Sequence, residues 1–295
     1  MSAVAARNWI PWRDRAGVFS GLRLAVFILS CLPAVWMGYK YFGGRLSPKP
    51  ITDLLRENGD WAIRFIFLTL AVSPLRAMTR WNGIIGIRRM LGLFALFYTV
   101  AHLSFYVIDQ RFVVWRIALE IVLRTYLTIG FAAVAILAVM GWTSNDAAVK
   151  RLGAQRWQKI HRWIYVAAFL ALLHFFMQVR IRAYEPSLLS GLAILLGGYR
   201  LLQRRSRDVP MWQVFLLAAL APLATALVEA GYYHFSMNAP LAPVLNANFD
   251  FSYEIRPAWF VLAAGGAMVL VKGYGLWRNR KAARQSMRRE VVAAR

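Results

Sequence analysis

The stretch RRMLGLFALFYTVAHLSFYVID, residues 88–109, opens on two arginines, runs apolar for about a membrane's width and holds His102 deep in its second half. A counterpart, HRWIYVAAFLALLHFFMQVR at residues 161–180, repeats the pattern with His174. An imidazole in a long apolar helix has little to hydrogen-bond except another polar side chain, a ligand or a metal. A polar group left unsatisfied in hydrocarbon costs several kcal/mol. Two such helices, each with a histidine at a similar depth from its basic end, suggest one ligand held between them. Haem iron, taken by an imidazole on each face, fits that description. Hydrogen bonding across helices is the plainer alternative for the pair.

Working outward, the composition agrees with a membrane setting. Hydrophobic residues make up 59% of the 295, and apolar runs of spanning length recur along the chain, so the class is an all-α, polytopic membrane helical bundle. The net charge of +23 brings nucleic acid to mind, but the basic residues cluster between apolar runs, where they fix topology. The partner implied by that pattern is membrane lipid, with no nucleic acid. The one cysteine, Cys31, lies inside an apolar run and reads as a small apolar filler.

In chain order, residues 7–15 form a basic, Trp-containing head, and residues 18–38 read as a retained anchor without a cleavage site behind it. A loop at 39–60 has room for a short interfacial helix. Span two is expected at 61–77, span three from Arg88, an interfacial segment at 111–125 and span four at 126–142. A polar turn, SNDAAVKRLGAQRWQK, then leads to span five at 161–182 and a short span six at 187–202. Spans seven and eight, 211–233 and 257–277, flank a nearly uncharged loop and precede a strongly basic tail. No solenoid repeat is visible.

Eight spans place both termini on one side. The segments on that side carry more than twice the Lys and Arg of the opposite segments, which favours both termini in the cytoplasm. Spans three and five then run in parallel, and His102 and His174 meet near the outer face.

The chain has four histidines: His102, His161, His174 and His234. His161 precedes His174 by a rise of about 20 Å, which suits a second stacked site, but an ideal helix turns the pair roughly 140° apart. Arg88 shares His102's face within roughly 40°. It cannot ligate iron, yet it can grip a propionate, a flavin phosphate or a quinone carbonyl. His161 reads equally as a solvated boundary residue, Arg88 and Arg89 equally as positive-inside anchors, and His234 as a bland one. The outer site looks complete and the inner one half-built.

With SPLR at 73–76, RRMLGL at 88–93, AHL around His102, RTYLTIG at 124–130 and KRLGAQRWQKIHRWIY at 150–165 followed by His174, the chain resembles the MsrQ (YedZ) family. These are haem-binding membrane subunits of the periplasmic methionine sulfoxide reductase system, within the ferric-reductase-like transmembrane class. The match covers roughly residues 20–205, with Thr125 where the family has proline. The resemblance implies haem b, one or two, held by His102 and His174, with His161 serving a second haem or another cofactor. It also implies FMN association and residence in a bacterial inner membrane, and Arg88 and Arg89 are the cofactor-binding candidates beside the histidines. Electrons would come from the quinone pool or a cytosolic flavin reductase and pass to a periplasmic molybdopterin-containing catalytic subunit that reduces methionine sulfoxide, of the MsrP type. Such a subunit has no substrate-reducing site of its own.

The corresponding domain expectation is an N-terminal segment at 1–17, a six-span haem-binding core at 18–207, an additional two-helix extension at 208–277 and a basic cytoplasmic tail at 278–295. The extension is expected to serve packing or docking. The alternative function is a ferric reductase or oxidase of the same class working with a separate flavin reductase, since nothing after span eight is large enough for a flavin and nicotinamide domain. A transporter or structural membrane subunit, with the histidines as polar glue, is the third class, and its protein would be colourless.

Overall fold

Eleven α-helices and two single 3-10 turns account for nearly all of the described chain, and no strand longer than one isolated bridge occurs there. The computed structural model describes residues 10–13, 17–206 and 208–293. Most of the basic head expected at 7–15, together with Arg207 and the last two residues of the basic tail, lies outside them. The helices are α1 (Gly21–Phe42), α2 (Pro50–Thr79), α3 (Ile85–Asp109), α4 (Val114–Leu123), α5 (Thr125–Trp142) and α6 (Asp146–His161). They continue as α7 (Ile164–Gln178), α8 (Tyr184–Arg205), α9 (Met211–Met237), α10 (Leu241–Asn246) and α11 (Pro257–Ala293).

Among the described residues seven helical segments are long and apolar enough to cross a membrane, where eight spans were expected. The helix at the sixth expected span, α8, forms over 22 residues but carries Glu185, Arg200, Arg204 and Arg205, which dilute its apolar character. Two expected loops are helical. Residues 50–60 belong to α2, because Pro50 supplies a preset φ at the first helical position and Asp53 lies in the first turn. The Asp53 carboxylate also accepts the Ser47 N–H at 2.7 Å, which ties the approach to the helix. Likewise the polar turn before span five folds as α6, where the Asn145 side chain accepts the Ala148 N–H at 2.7 Å as an N-cap. Gly153, at φ 73°, bends α6 in its middle, a conformation that favours glycine. Span five itself starts at Ile164, after a turn at Arg162 and Trp163.

The chain divides into two compact units, one within Met1–Thr69 and Ile84–Gln178, the other within Leu70–Gly83 and Val179–Arg295. In the first, α1 packs on α3, α3 on α5, and α5 on α7, with α4 against α5. Tyr98 of α3 is its most enclosed large side chain, at 0% exposure. Its hydroxyl donates to the Ser30 carbonyl at 2.8 Å and accepts the Ala34 N–H at 3.2 Å. Those two groups would otherwise bond each other within α1, so the hydroxyl is inserted into the helical ladder one residue from Pro33. The Tyr98 ring stacks on Phe65 of α2 at a centroid distance of 5.2 Å. One residue therefore fixes α3 against both α1 and α2.

In the second unit α8, α9 and α11 pack on one another. Small residues make the contact close, as lipid-embedded helices require when no hydrophobic driving force separates helix from lipid. Gly191 of α8 faces Thr225 of α9 and Val261 of α11, leaving no room for a methyl group. Next to that contact Glu229 is 1% exposed, and the Arg256 guanidinium lies 3.1 Å from its carboxylate. A charge buried there persists only with such a partner. The last turns of α2, from Leu70, belong to this unit, with Met78 packed beside Tyr199 and Val214.

Gly191→Ala should destabilise the protein by about 1–3 kcal/mol through overpacking. Gly231→Ala, where a methyl group meets open space, should not. Thermal unfolding of the detergent-solubilised protein distinguishes the two.

Candidate functional site

His102 and His174 face each other in the first unit. Their ring centroids are 6.4 Å apart, with the planes at 83°. Each ring is held through one nitrogen. His102 Nδ1 lies 2.8 Å from the Leu55 carbonyl oxygen of α2, and His174 Nδ1 lies 2.7 Å from the Tyr126 carbonyl oxygen of α5. A carbonyl only accepts, so in both rings Nδ1 carries the hydrogen and the neutral imidazole presents Nε2 as its bare lone pair. This is the arrangement that orients metal-bound histidines, whose other nitrogen donates to a carbonyl or carboxylate.

The pair can be tested against a metal-centred group. A metal held between two imidazoles takes each nitrogen at about 2.0–2.1 Å, and the nitrogen stands roughly 1.1–1.2 Å from its ring centre, which puts the centroids roughly 6.2–6.6 Å apart. The observed spacing falls within that range. Rings in hydrogen-bonding contact with each other would sit edge to edge with both nitrogens committed; here neither Nδ1 is available for that. The residues present therefore fit a haem iron bound by His102 and His174.

Two tyrosines of α3 tie it to neighbouring helices on either side of this point. Tyr98, His102 and Tyr106 follow at four-residue intervals and share a face. Tyr98 bonds α1, His102 bonds α2, and the Tyr106 hydroxyl donates to Glu120 of α4 at 2.9 Å. Glu120 in turn pairs with Arg116 and Arg124 at 3.4 Å each.

Residues 58–172 match the family described as ferric reductase like transmembrane component, a segment that ends two residues before His174. The haem-binding subunit MsrQ of protein-methionine-sulfoxide reductase from Rhodospirillum rubrum is 40% identical over 203 residues, covering 67% of this chain and 95% of that protein. The chain belongs to the MsrQ family. MsrQ from Polaromonas naphthalenivorans is 40% identical over 169 residues, 57% of this chain and 77% of that protein. MsrQ from Rhizobium meliloti is 38% identical over 182 residues, 61% of this chain and 83% of that protein. No solved structure matches the chain.

Of the motifs that carried the MsrQ resemblance, RTYLTIG supplies Tyr126 beside His174, whereas His161, Arg88 and Arg89 have other partners. His161 stacks on Trp157 at a centroid distance of 3.9 Å, and its Nε2 lies 3.2 Å from the Thr143 hydroxyl. That hydroxyl's single hydrogen goes to the Val139 or Met140 carbonyl, at 2.9 and 3.1 Å, so the hydroxyl accepts from Nε2. His161 is thus held in the opposite tautomer from His102 and His174, with Nε2 occupied. Arg89 pairs with Asp146 at 2.7 Å, and Arg88 and Arg89 both bear electrostatically on the His161 ring. His234 is exposed and bonds the Ala239 carbonyl through Nδ1 at 3.0 Å. No cluster of three or more His, Cys, Asp or Glu suited to a metal occurs among the described residues.

Sequence reasoning found the two histidines but missed what holds them: Leu55 and Tyr126, which act through main-chain atoms, and Gly59 and Gly130, which lie against the rings. It also missed Thr143 and Trp157 around His161. Backbone acceptors leave no side-chain signature. The glycines were visible only as letters.

Tyr106→Phe removes a hydrogen bond to a carboxylate that keeps two arginine partners, so the expected loss is about 1 kcal/mol. Thermal unfolding of the purified variant measures it.

Proposed function

We propose that this chain is the haem-binding membrane subunit of a protein-methionine-sulfoxide reductase system. It would carry electrons across a bacterial inner membrane to a periplasmic molybdenum-dependent catalytic subunit. The observation that carries this reading is the His102–His174 pair, 6.4 Å apart with both Nδ1 atoms committed to helix carbonyls. His102 and His174 would hold haem b there, and the haem would supply one-electron transfer. The residues of the chain hold the ligand rings through the Leu55 and Tyr126 carbonyls, while Phe65, Phe94 and Tyr98 pack α3 against α2.

One haem per chain is the count this arrangement favours. His161 spends Nε2 on Thr143 and its ring face on Trp157, so it lacks both a free distal nitrogen and a facing imidazole. Arg88, Arg89 and His161, with the basic stretch 150–162, instead suit the entry point for electrons. Positive charge beside stacked aromatic rings favours a phosphate-bearing flavin such as FMN, or a quinone carbonyl. The donor is then the quinone pool or a cytosolic flavin reductase. The distribution of basic segments favours a cytoplasmic location for this end and for both termini.

Purified protein should contain one haem per chain with a low-spin, six-coordinate spectrum. His102→Ala and His174→Ala should each abolish it, and a variant that keeps the wild-type spectrum is not missing an axial ligand. His161→Ala should retain the haem spectrum while slowing reduction by a donor added on the cytoplasmic side of oriented vesicles. Unchanged reduction kinetics would place electron entry elsewhere.

A further inference from the structure

Both ligand imidazoles are seated on their partner helices in the same way. The carbonyl that receives His102 belongs to Leu55, and the residue four positions further along α2 is Gly59. The carbonyl that receives His174 belongs to Tyr126, and four positions further along α5 is Gly130. In an α-helix the N–H of residue i+4 bonds the carbonyl of residue i, so the i+4 side chain stands beside that carbonyl and screens it. A Cβ on Gly59 would lie 2.8 Å from Nδ1 and 3.0 Å from Cε1 of His102. One on Gly130 would lie 2.8 Å and 2.9 Å from the same atoms of His174. With glycine there, the carbonyl keeps its helical bond on one lone pair and offers the other to the imidazole N–H.

Nothing else in the two helices is shared at these points. The local sequences are LRENG and YLTIG, one several residues into a long helix and the other in the first turn of a shorter one. Ordinary helix packing does not account for the glycines either, since the three nearest heavy atoms to each absent Cβ all belong to the histidine ring. Gly92 and Gly141 of the same unit differ in this respect, facing Thr69 and Leu96. The carbonyl-to-histidine separations are 47 and 48 residues, so the device recurs at matching spacing in two helix pairs.

We propose that Gly59 and Gly130 are positioning residues for the axial imidazoles. Each opens its helix at one carbonyl so that Nδ1–H can reach it, which sets the rotation of the ring, aims Nε2 at the metal and makes the imidazole a stronger electron donor. This rests on the haem reading of the His102–His174 site. A stronger donor favours oxidised iron, so loosening either bond raises the reduction potential.

The test compares full-length Gly59→Ala and Gly130→Ala with wild type and with Gly38→Ala, where a methyl group meets open space. The readouts are the low-spin electron paramagnetic resonance spectrum, the midpoint potential and the rate of haem transfer to apomyoglobin. Both site variants should show a shifted low-spin signal, a raised potential and haem loss roughly 10–100-fold faster, the usual effect of removing an outer-shell partner. Gly38→Ala should match wild type. Site variants with lower yield but wild-type signal, potential and haem retention would overturn the proposal, because a packing role alone moves only stability. Should the alanine variants not accumulate, nitrogen-15 nuclear magnetic resonance of ferrous wild-type protein decides. Two ligated histidines should show slowly exchanging Nδ1–H protons, and rapid exchange at either would overturn the proposal for that ring. Wild-type protein without low-spin haem would instead defeat the haem reading itself.

Discussion

An imidazole in hydrocarbon must place both nitrogens, and the site in this protein depends on how the first one is placed. The main-chain carbonyls of Leu55 and Tyr126 take the Nδ1 hydrogens of His102 and His174. In a lipid-embedded helix a carbonyl is the one strong acceptor always present, but it is normally covered by its own helix. Exposing it at a chosen point lets the ring be fixed without adding another polar side chain to the membrane. Each Nε2 then remains the single uncommitted polar atom of its ring, which is what a metal-binding site requires.

The cost of an unpartnered polar group in lipid explains other features of the two units. The Tyr98 hydroxyl takes both a donor and an acceptor from α1 beside Pro33, so a tyrosine with no exposure has no unmet hydrogen bond. Thr69 and Thr99 each return their hydroxyl hydrogen to a carbonyl four residues back in their own helix, and Thr143 returns its own to the last turn of α5. Glu229 in the second unit is the costly case, a carboxylate almost without exposure that is held by Arg256. Such a pair maintains itself because removing either partner leaves an uncompensated buried charge.

His161 illustrates how the same residue type acquires a different role from its surroundings. It lies in a basic, aromatic neighbourhood with its distal nitrogen bonded to Thr143. On sequence spacing it looked like half of a second ligand pair. The turn at Arg162 and Trp163 removes the premise of that estimate, since the 13 residues to His174 do not form one continuous helix. The boundary near residue 207 drawn from the six-span resemblance also meets a different grouping, with α8 packing on α9 and α11 in the second compact unit.

The sequence by itself determined the class, seven of its eight expected spans and the pairing of the two histidines, because long apolar runs, clustered charge and a polar residue in hydrocarbon are all local and energetically expensive signals. It also carried the family, through motifs distributed around those histidines. It did not determine that residues 50–60 and 146–161 are helical, since their polarity reads as loop until Pro50 and the Asn145 cap are seen to start helices. Nor did it reveal the partner of Glu229 or the acceptors of the histidines. Those depend on which helices come together and at what height, and a main-chain carbonyl or a missing Cβ has the same letter wherever it occurs. Only the tertiary structure decided that Leu55 and Gly59, and again Tyr126 and Gly130, lie against an imidazole 47 and 48 residues further along the chain.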